Sequence, residues 1–536
     1  MFEKLTHLFY SGTSRRSDGA LSKMHLGSQA NSSNPLMMLT SKKFQFFTWD
    51  SSHPDMSWWA HFENEVPRLA DLGVTQVWLP PPNKATHKHG QGYDAYDLWD
   101  LGEFLQKGTI STRWGTKDEL IKAISVAKQY GIDIMIDAVL NHKLGGDRTE
   151  KFLAIPVDEK DRRKELGPAR EIEGWTAFDF AGRAGQYSSM RWTHEHFTGV
   201  DWDQRTQSKG IYRIVGKEDK GWSHNVDKEF GNYDYLLGVD IDHRHPDVRA
   251  DLFKWASWVL DVTGASGFRL DAIKHMDRKF LLEWIRRARD GPGRSGTFMV
   301  GEYWSGNASL ILSYIRAFEG QVQLAFFDVP LHGNFHEASK NGSKYDLRTI
   351  LNTTVVKMRP GDAVIFVDNH DTQVGQTLES WVDTNFKLQA YALILLRGEG
   401  HPCVFYGDLY PNRECFNEST ANGLRRLMEV RKKFAGGSLR DYFYHPNCIG
   451  FVRTGDSNHS GCAVLISNAS PKARADDQSH RIRMNVGPNH TNTNYVGLFE
   501  PFGRVDISAD GGGSFSCKPG SIQVWVPAAQ EEPSQC

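Results

Sequence analysis

Short apolar runs rich in Val, Ile and Phe recur along this chain, each followed by a helical pattern and then by another run. They fall at 44–49, 74–79, 132–139, 267–271, 298–302, 322–327, 363–368 and 403–406. The clearest helical stretch between them is 117–130. There Leu120, Ile121, Ile124 and Ala127 share a face, Thr116 and Glu119 can form a capping box, and Gly131 supplies the stop. Strands that are apolar throughout, rather than alternating, are buried on both faces, as in parallel sheets flanked by helices. Repeated strand-helix beats of this kind predict an α/β fold, a closed (β/α)8 TIM barrel. An open doubly wound sheet is the alternative, weakened because no G-x-G-x-x-G turn follows the first run.

The beat is interrupted once and then stops. After the third run the next helical pattern is 248–262, and the intervening residues are rich in Gly, Asp, His and aromatics. A structureless loop of that length is improbable, so 143–240 is expected to be an inserted irregular β domain. From 441 short alternating segments at 449–454, 462–467, 481–486 and 521–526 predict a C-terminal antiparallel β domain reaching to 528. The barrel would then comprise 35–142 and 241–440. Residues 1–34, rich in Ser, Gly, Asn and charge, read as a disordered or surface-draped extension, and 529–536 as a tail.

Composition narrows the partners. Lys+Arg 63 against Asp+Glu 65, a formal net charge of -2, provides no footprint for nucleic acid or an anionic membrane surface. The start has no basic segment followed by an apolar run, and no run of about 18 apolar residues occurs, so neither a secretory signal nor a membrane span is expected. The six cysteines, Cys403, Cys415, Cys448, Cys462, Cys517 and Cys536, form no CxxC pair, which fits a reducing, cytoplasmic setting. A monomer acting on an uncharged substrate is the expectation.

The candidate chemistry lies at four run ends, where a barrel of this kind places its active site. The third carries Asp137, Asn141 and His142; the fourth Arg269, Asp271, Lys274 and His275; the fifth Glu302; the seventh Asp368, Asn369, His370 and Asp371. Carboxylates converging with an Arg and two His, without a phosphate cradle or a cysteine-histidine cluster, suit glycoside hydrolysis. That reaction needs a nucleophilic carboxylate, a carboxylic acid for the leaving oxygen, and charge to stabilise an oxocarbenium-like transition state.

These four segments, with G-Y-D-A-Y-D-L-W-D-L-G-E-F, G-N-Y-D-Y and F-D-V-P-L-H, resemble the signature regions of the alpha-amylase family, glycoside hydrolase family thirteen. The resemblance runs from about Met37 to 526 and is nearest to bacterial liquefying and intracellular fungal members. It implies that Asp271 is the nucleophile, Glu302 the general acid and then base, and Asp371 the third carboxylate. Arg269 would keep Asp271 ionised, since an adjacent cation favours the charged carboxylate. His142 and His370 would bond sugar hydroxyls and Tyr93 would stack on the ring in the cleaved position. Lys274, His275 and Trp304 would serve the leaving-group side. The implied activity is that of a retaining, endo-acting α-1,4-glucan hydrolase. A 4-α-glucanotransferase is the alternative, and a non-catalytic glycan-binding member a remote one.

The resemblance also implies a structural Ca2+ held by Asn141, Asp234, Asp240 and the main-chain carbonyl of His275, an oxygen-only set suited to a hard cation. Bacterial members carry a three-cation cluster with two further aspartates. Here those positions align with Thr198 and Ser223, while Asp242 remains, so one calcium is expected. Gly436 stands where relatives often have an aromatic, and is expected to loosen the link leaving the barrel.

Overall fold

The computed structural model describes residues 42–216, 220–470 and 480–528; the expected extension at 1–34 and tail at 529–536 lie outside them. All eight apolar runs contribute a parallel strand: Lys43–Gln45, Gln76–Trp78, Asp133–Ala138, Gly267–Leu270, Phe298–Gly301, Ala325–Phe327, Ala363–Phe366 and His401–Phe405. They neighbour one another in chain order and close into a barrel. The chain divides into two compact units, one of 42–330 with 353–365, the other of 331–352 with the described residues from 366 onward.

In the first unit, register explains where the polar strand ends fall. Arg269 lies opposite Asp137 on one side and Val300 on the other, and Leu270 opposite Ala138 and Gly301. One step further, Asp271 and Glu302 leave their strands side by side. Gly301 leaves the room taken there by Ile273, whose Cδ1 would lie 2.5 Å from an added Cβ and would have to shift. The helix Lys117–Gln129 is closed by the expected Thr116–Glu119 capping box, and Gly131 follows at φ 71°. The long helix Pro246–Thr263 ends on Gly264, which adopts the left-handed φ of 75°.

The insert after the third barrel strand forms a six-stranded sheet, in which Arg148–Val157, Arg170–Ala177, Phe197–Asp203 and Ser208–Ile214 are the longer strands. Phe152 pairs with Ile172 across its edge. At its root Lys143 is buried, donates to the Tyr96 carbonyl at 2.7 Å, and faces the rings of Phe178, Phe180 and Trp192 at 5.0–5.3 Å. Burial pushes its ammonium down to about 8.

In the second unit the helix Thr384–Leu396 is buried on nearly all sides, as an element apolar all round must be. It packs on the helix Glu418–Phe434 and on the strands Cys462–Ser467 and Ile522–Pro527 of the C-terminal antiparallel sheet. Gln389 fastens that contact by donating to the Gly520 carbonyl at 3.0 Å. The glycines leaving the barrel do not loosen the chain, contrary to the expectation for Gly436. A Cβ on Gly436 would meet Asp456 Oδ2 at 2.3 Å, and one on Gly437 would meet the Gly455 carbonyl at 2.0 Å. They are small because another loop presses against them.

Candidate active site

Arg269 is the hub of the first unit's polar cluster. Its side chain is 1% exposed and reaches three carboxylates: Asp137 at 2.9 Å, Asp271 at 2.6 Å and Glu302 at 2.9 Å. Burial works against the guanidinium charge, but Asp137, Glu302, Tyr93 and Asp271 outweigh it and hold its pKa well above the ordinary value. Asp137 is tied down further by the Trp78 indole N–H at 2.9 Å and the Tyr93 hydroxyl at 2.7 Å. Glu302 Oε2 also accepts the backbone N–H of Ala272 at 3.1 Å. Ala272 achieves this in the left-handed conformation, φ 49° and ψ 37°, an uncommon state for a residue with a Cβ and one that concentrates at functional sites.

The other expected substrate residues of this unit lie around that cluster. One face of the Tyr93 ring stacks on Trp49, with centroids 5.9 Å apart and planes 4° apart, and Arg269 lies 5.6 Å from its centroid. His142 Nε2 bonds the Tyr93 carbonyl at 2.8 Å, which makes Nε2 the protonated nitrogen and leaves buried Nδ1 without a partner. Burial pushes His142 down to about 4, so it is neutral near pH 7. Lys274 pairs with Glu229 and donates to the Trp304 carbonyl at 3.3 Å. Glu229, Trp49 and Ala272 carried no sequence signal of their own; an aromatic or acid on a loop becomes informative only once its neighbour is known.

In the second unit His370 is buried, with Nε2 3.4 Å from Asp371 Oδ2. The loop they occupy is built on Asn369 and Asp368. Asn369 Oδ1 accepts the N–H groups of Asp371 at 2.9 Å and Thr372 at 3.0 Å. Asp368 accepts from the Thr372 hydroxyl at 2.8 Å and from Lys387 at 2.6 Å. Lys387, missed in the sequence, also reaches Asp408 at 3.1 Å and lies 3.1 Å from the centroid of the Trp381 ring. One ammonium thus serves two buried carboxylates, and burial together with Asp408 pushes Asp368 up to about 7 against the pull of Lys387.

Of the expected cation ligands, Asn141, Asp234 and Asp240 lie together in a buried, oxygen-rich cluster. Asn141 donates to Asp240 at 3.3 Å while its own buried Oδ1 has no partner. Burial and the charge of Asp234 push Asp240 well above the ordinary range, and burial pushes Asp234 up to about 8. Two buried carboxylates beside an orphaned amide oxygen fit a hard cation. His275 follows the strand Gly267–Leu270 in sequence and bonds the Tyr233 carbonyl through Nδ1 at 2.9 Å. Thr198 donates its hydroxyl to Asp240, and the Ser223 backbone N–H donates to Asp234 at 2.9 Å. Asp242 differs: burial would raise it, but Arg244 at 2.8 Å and Lys220 at 3.2 Å hold it below the ordinary carboxylate value.

A second group, His196, His245 and Asp247, brings ligand atoms within 4.8 Å of one another. It does not fit a metal. His196 Nδ1 accepts the Thr193 N–H at 2.9 Å and His245 Nδ1 that of Asp247 at 3.2 Å, so each neutral ring carries its proton on Nε2. Among the described residues, no helix is long and apolar enough to cross a membrane.

Known proteins resemble this chain along most of its length. The family profile for the alpha amylase catalytic domain matches residues 62–425. An alpha-amylase of Geobacillus stearothermophilus is 41% identical over 486 residues, covering 90% of this chain and 86% of the relative. A cytoplasmic alpha-amylase of Escherichia coli is 40% identical over 484 residues, covering 87% and 95%. Among solved structures, an alpha-amylase from Geobacillus thermoleovorans complexed with acarbose superposes with a TM-score of 0.60 at 15% identity, over 92% of this chain and 99% of that one. With the family profile spanning most of the barrel and relatives near 40% identity along most of its length, the chain belongs to the alpha-amylase family of glycoside hydrolases.

Proposed function

We propose that this protein is a retaining, endo-acting α-1,4-glucan hydrolase cleaving starch, glycogen or maltooligosaccharides. The observation that carries it is one guanidinium, Arg269, holding both Asp271 and Glu302 at adjacent strand ends. Carboxyl groups gathered on one cation are close, as in retaining enzymes, where they lie about 5–5.5 Å apart, and not spread to about 6.5–9.5 Å as in inverting ones.

In this reading Asp271 attacks the anomeric carbon and the bond to the leaving oxygen breaks as Glu302 delivers its proton. Glu302 then takes a proton from water, which displaces Asp271 and restores the α configuration. Asp371 and His370 hold sugar hydroxyls, and Tyr93 and His142 handle the sugar in the cleaved position. Lys274, with Trp304, serves the departing chain. Asn141, Asp234, Asp240 and the His275 carbonyl hold one Ca2+, which braces the start of the insert against the catalytic strand. Thr198 and Ser223 supply hydroxyls and an N–H in place of further carboxylates, and Asp242 is spent on Lys220 and Arg244. Cys415, Cys448, Cys462 and Cys517 are free thiols, which supports a cytoplasmic setting.

An anomer-resolved NMR time course on maltopentaose tests the reaction. The expected result is α product first; β product first overturns retention. Products longer than the substrate would instead assign a 4-α-glucanotransferase, in which a sugar hydroxyl takes the place of water.

A further inference from the structure

We propose that the cleft at the N-terminal end of the barrel, lined by Gln76, Lys128, Arg294 and Thr297, binds a small oxyanion, a phosphate ester or a carboxylate. The site is independent of the hydrolase reading, since none of these residues belongs to the catalytic cluster. The cleft has a volume of about 380 Å³, and Asp133, Ser266, Phe298 and Gly264 also line it. Gln76, Asp133 and Phe298 begin three barrel strands. Asp271 and Glu302 follow the opposite ends of two strands of the same barrel.

Two polar side chains that the fold buries face this cleft without a partner. Gln76 is 6% exposed and Thr297 7%. Gln76 Oε1 accepts from the ammonium of buried Lys43 at 2.5 Å. An ammonium can only donate, so this contact fixes which way the amide faces. The Gln76 NH2 group is turned away from Lys43 and donates to no described residue. Gly267 makes room for it: a Cβ there would lie 3.2 Å from Gln76 Nε2 and 2.8 Å from the Phe298 carbonyl oxygen. The Thr297 hydroxyl likewise bonds no described residue, although its backbone is held. The Thr297 carbonyl accepts from Arg289 Nε at 3.1 Å and Nη2 at 3.0 Å, and its N–H donates to the Arg294 carbonyl at 2.9 Å. Buried polar groups are normally paired, so two that share one cleft point to an occupant rich in acceptors.

The charge around them is positive. The Lys128 ammonium pairs with no carboxylate among the described residues. It lies against Gly264, which ends the helix Pro246–Thr263, and a Cβ there would be 2.9 Å from Nζ. A helix C-terminus favours a cation beside it, which keeps Lys128 at the cleft. Arg294 pairs with Asp261 through Nη2 and leaves Nε and Nη1 uncommitted among the described residues. Asp133 accepts the Ser266 hydroxyl at 2.9 Å. With Lys43 behind Gln76, three cations outnumber Asp133 and Asp261, and the ammonium on Gln76 Oε1 strengthens the amide as a donor.

An oxyanion supplies what these groups lack. Its oxygens accept from the Gln76 NH2 group and the Thr297 hydroxyl, and form charge-assisted bonds with Lys128 and Arg294. A metal ion is disfavoured by the surplus of positive side chains. A sugar ring is disfavoured too, because the aromatic residue of the lining, Phe298, has Lys43 Nζ 3.4 Å from its ring centroid.

The test is isothermal titration calorimetry of the full chain at low ionic strength with inorganic phosphate, a hexose monophosphate and succinate. Sodium chloride at matched ionic strength is the control. At least one of the three anions should bind saturably at a site that chloride does not fill. Lys128→Glu should weaken that binding by about tenfold or more, and Thr297→Val, which keeps the shape and removes the hydroxyl, by about fivefold. Lys128 is exposed, so its variant decides the matter if Thr297→Val fails to fold. Tighter binding of the phosphate ester than of succinate assigns a phosphate group to the natural ligand, and the reverse a carboxylate. No saturable binding of any of the three, or binding that Lys128→Glu and the folded Thr297→Val leave unchanged, overturns the site.

Discussion

The backbone N–H of Ala272, held at φ 49°, donates to Glu302 Oε2 at 3.1 Å. The residue after the proposed nucleophile thus positions the proposed acid, through a conformation that disfavours side chains. Ala272→Gly should leave kcat within a few-fold, because glycine adopts this φ freely. Ala272→Val should lower kcat by roughly tenfold or more, since strain of about 1–3 kcal/mol is relieved by turning the N–H away. Steady-state kinetics on maltopentaose, with kcat and KM separated, check both.

The two carboxylates on Arg269 have separable roles. Glu302→Gln should lower kcat on maltopentaose by about 10²–10⁴. It should lose far less on an aryl maltooligoside with an acidic phenol, whose departure needs no proton. Asp271→Asn should lose both, because no glycosyl-enzyme bond can form. Equal losses of Glu302→Gln on the two substrates would deny it the role of acid.

Lys387 neutralises Asp368 and Asp408 at the root of the loop that carries His370 and Asp371. Lys387→Met leaves two buried carboxylates facing one another and should destabilise the protein by about 3–5 kcal/mol, read by urea unfolding. Adding Asp368→Asn should restore part of that loss. An additive double mutant would show that the two groups do not act together.

His332 is buried between the Val367 carbonyl at 2.6 Å and the Ser380 hydroxyl at 2.8 Å, and burial pushes it down to about 4. A histidine lowered in the folded state binds its proton more readily when unfolded. Stability is therefore full above about pH 6.5 and falls as pH drops toward 4, by about 3 kcal/mol for this residue. Thermal melts between those values should show the decline, and His332→Gln should flatten it.

Calcium should bind with a stoichiometry of one. Metal analysis of the dialysed protein should return a single tightly held ion, and a chelator should lower the melting temperature. Asp240→Asn should remove the chelator's effect. Three retained cations would refute the reading.

Much of this was legible in the chain. The eight apolar runs named every barrel strand, and the Thr116–Glu119 box marked the start of its helix to the residue, because both signals are local. The polar strand ends named the candidate site for the same reason. Lys387 was not legible. It lies in a helix buried almost all round, whose apolar faces do not distinguish core from solvent, so a lysine there reads as exposed until Asp368 and Asp408 are seen beside it. Gly436 was misread because the loop pressing on it arrives some 20 residues later, a distance no local pattern spans.

Lys220 and Arg244 give Asp242 positive charge that belongs to the chain itself. A dissolved ion can be diluted, exchanged or extracted, whereas these two cations are tethered and always at hand. The charge of Asp242 consequently needs no replenishment from its surroundings, and its balance should be indifferent to how much divalent metal the medium holds.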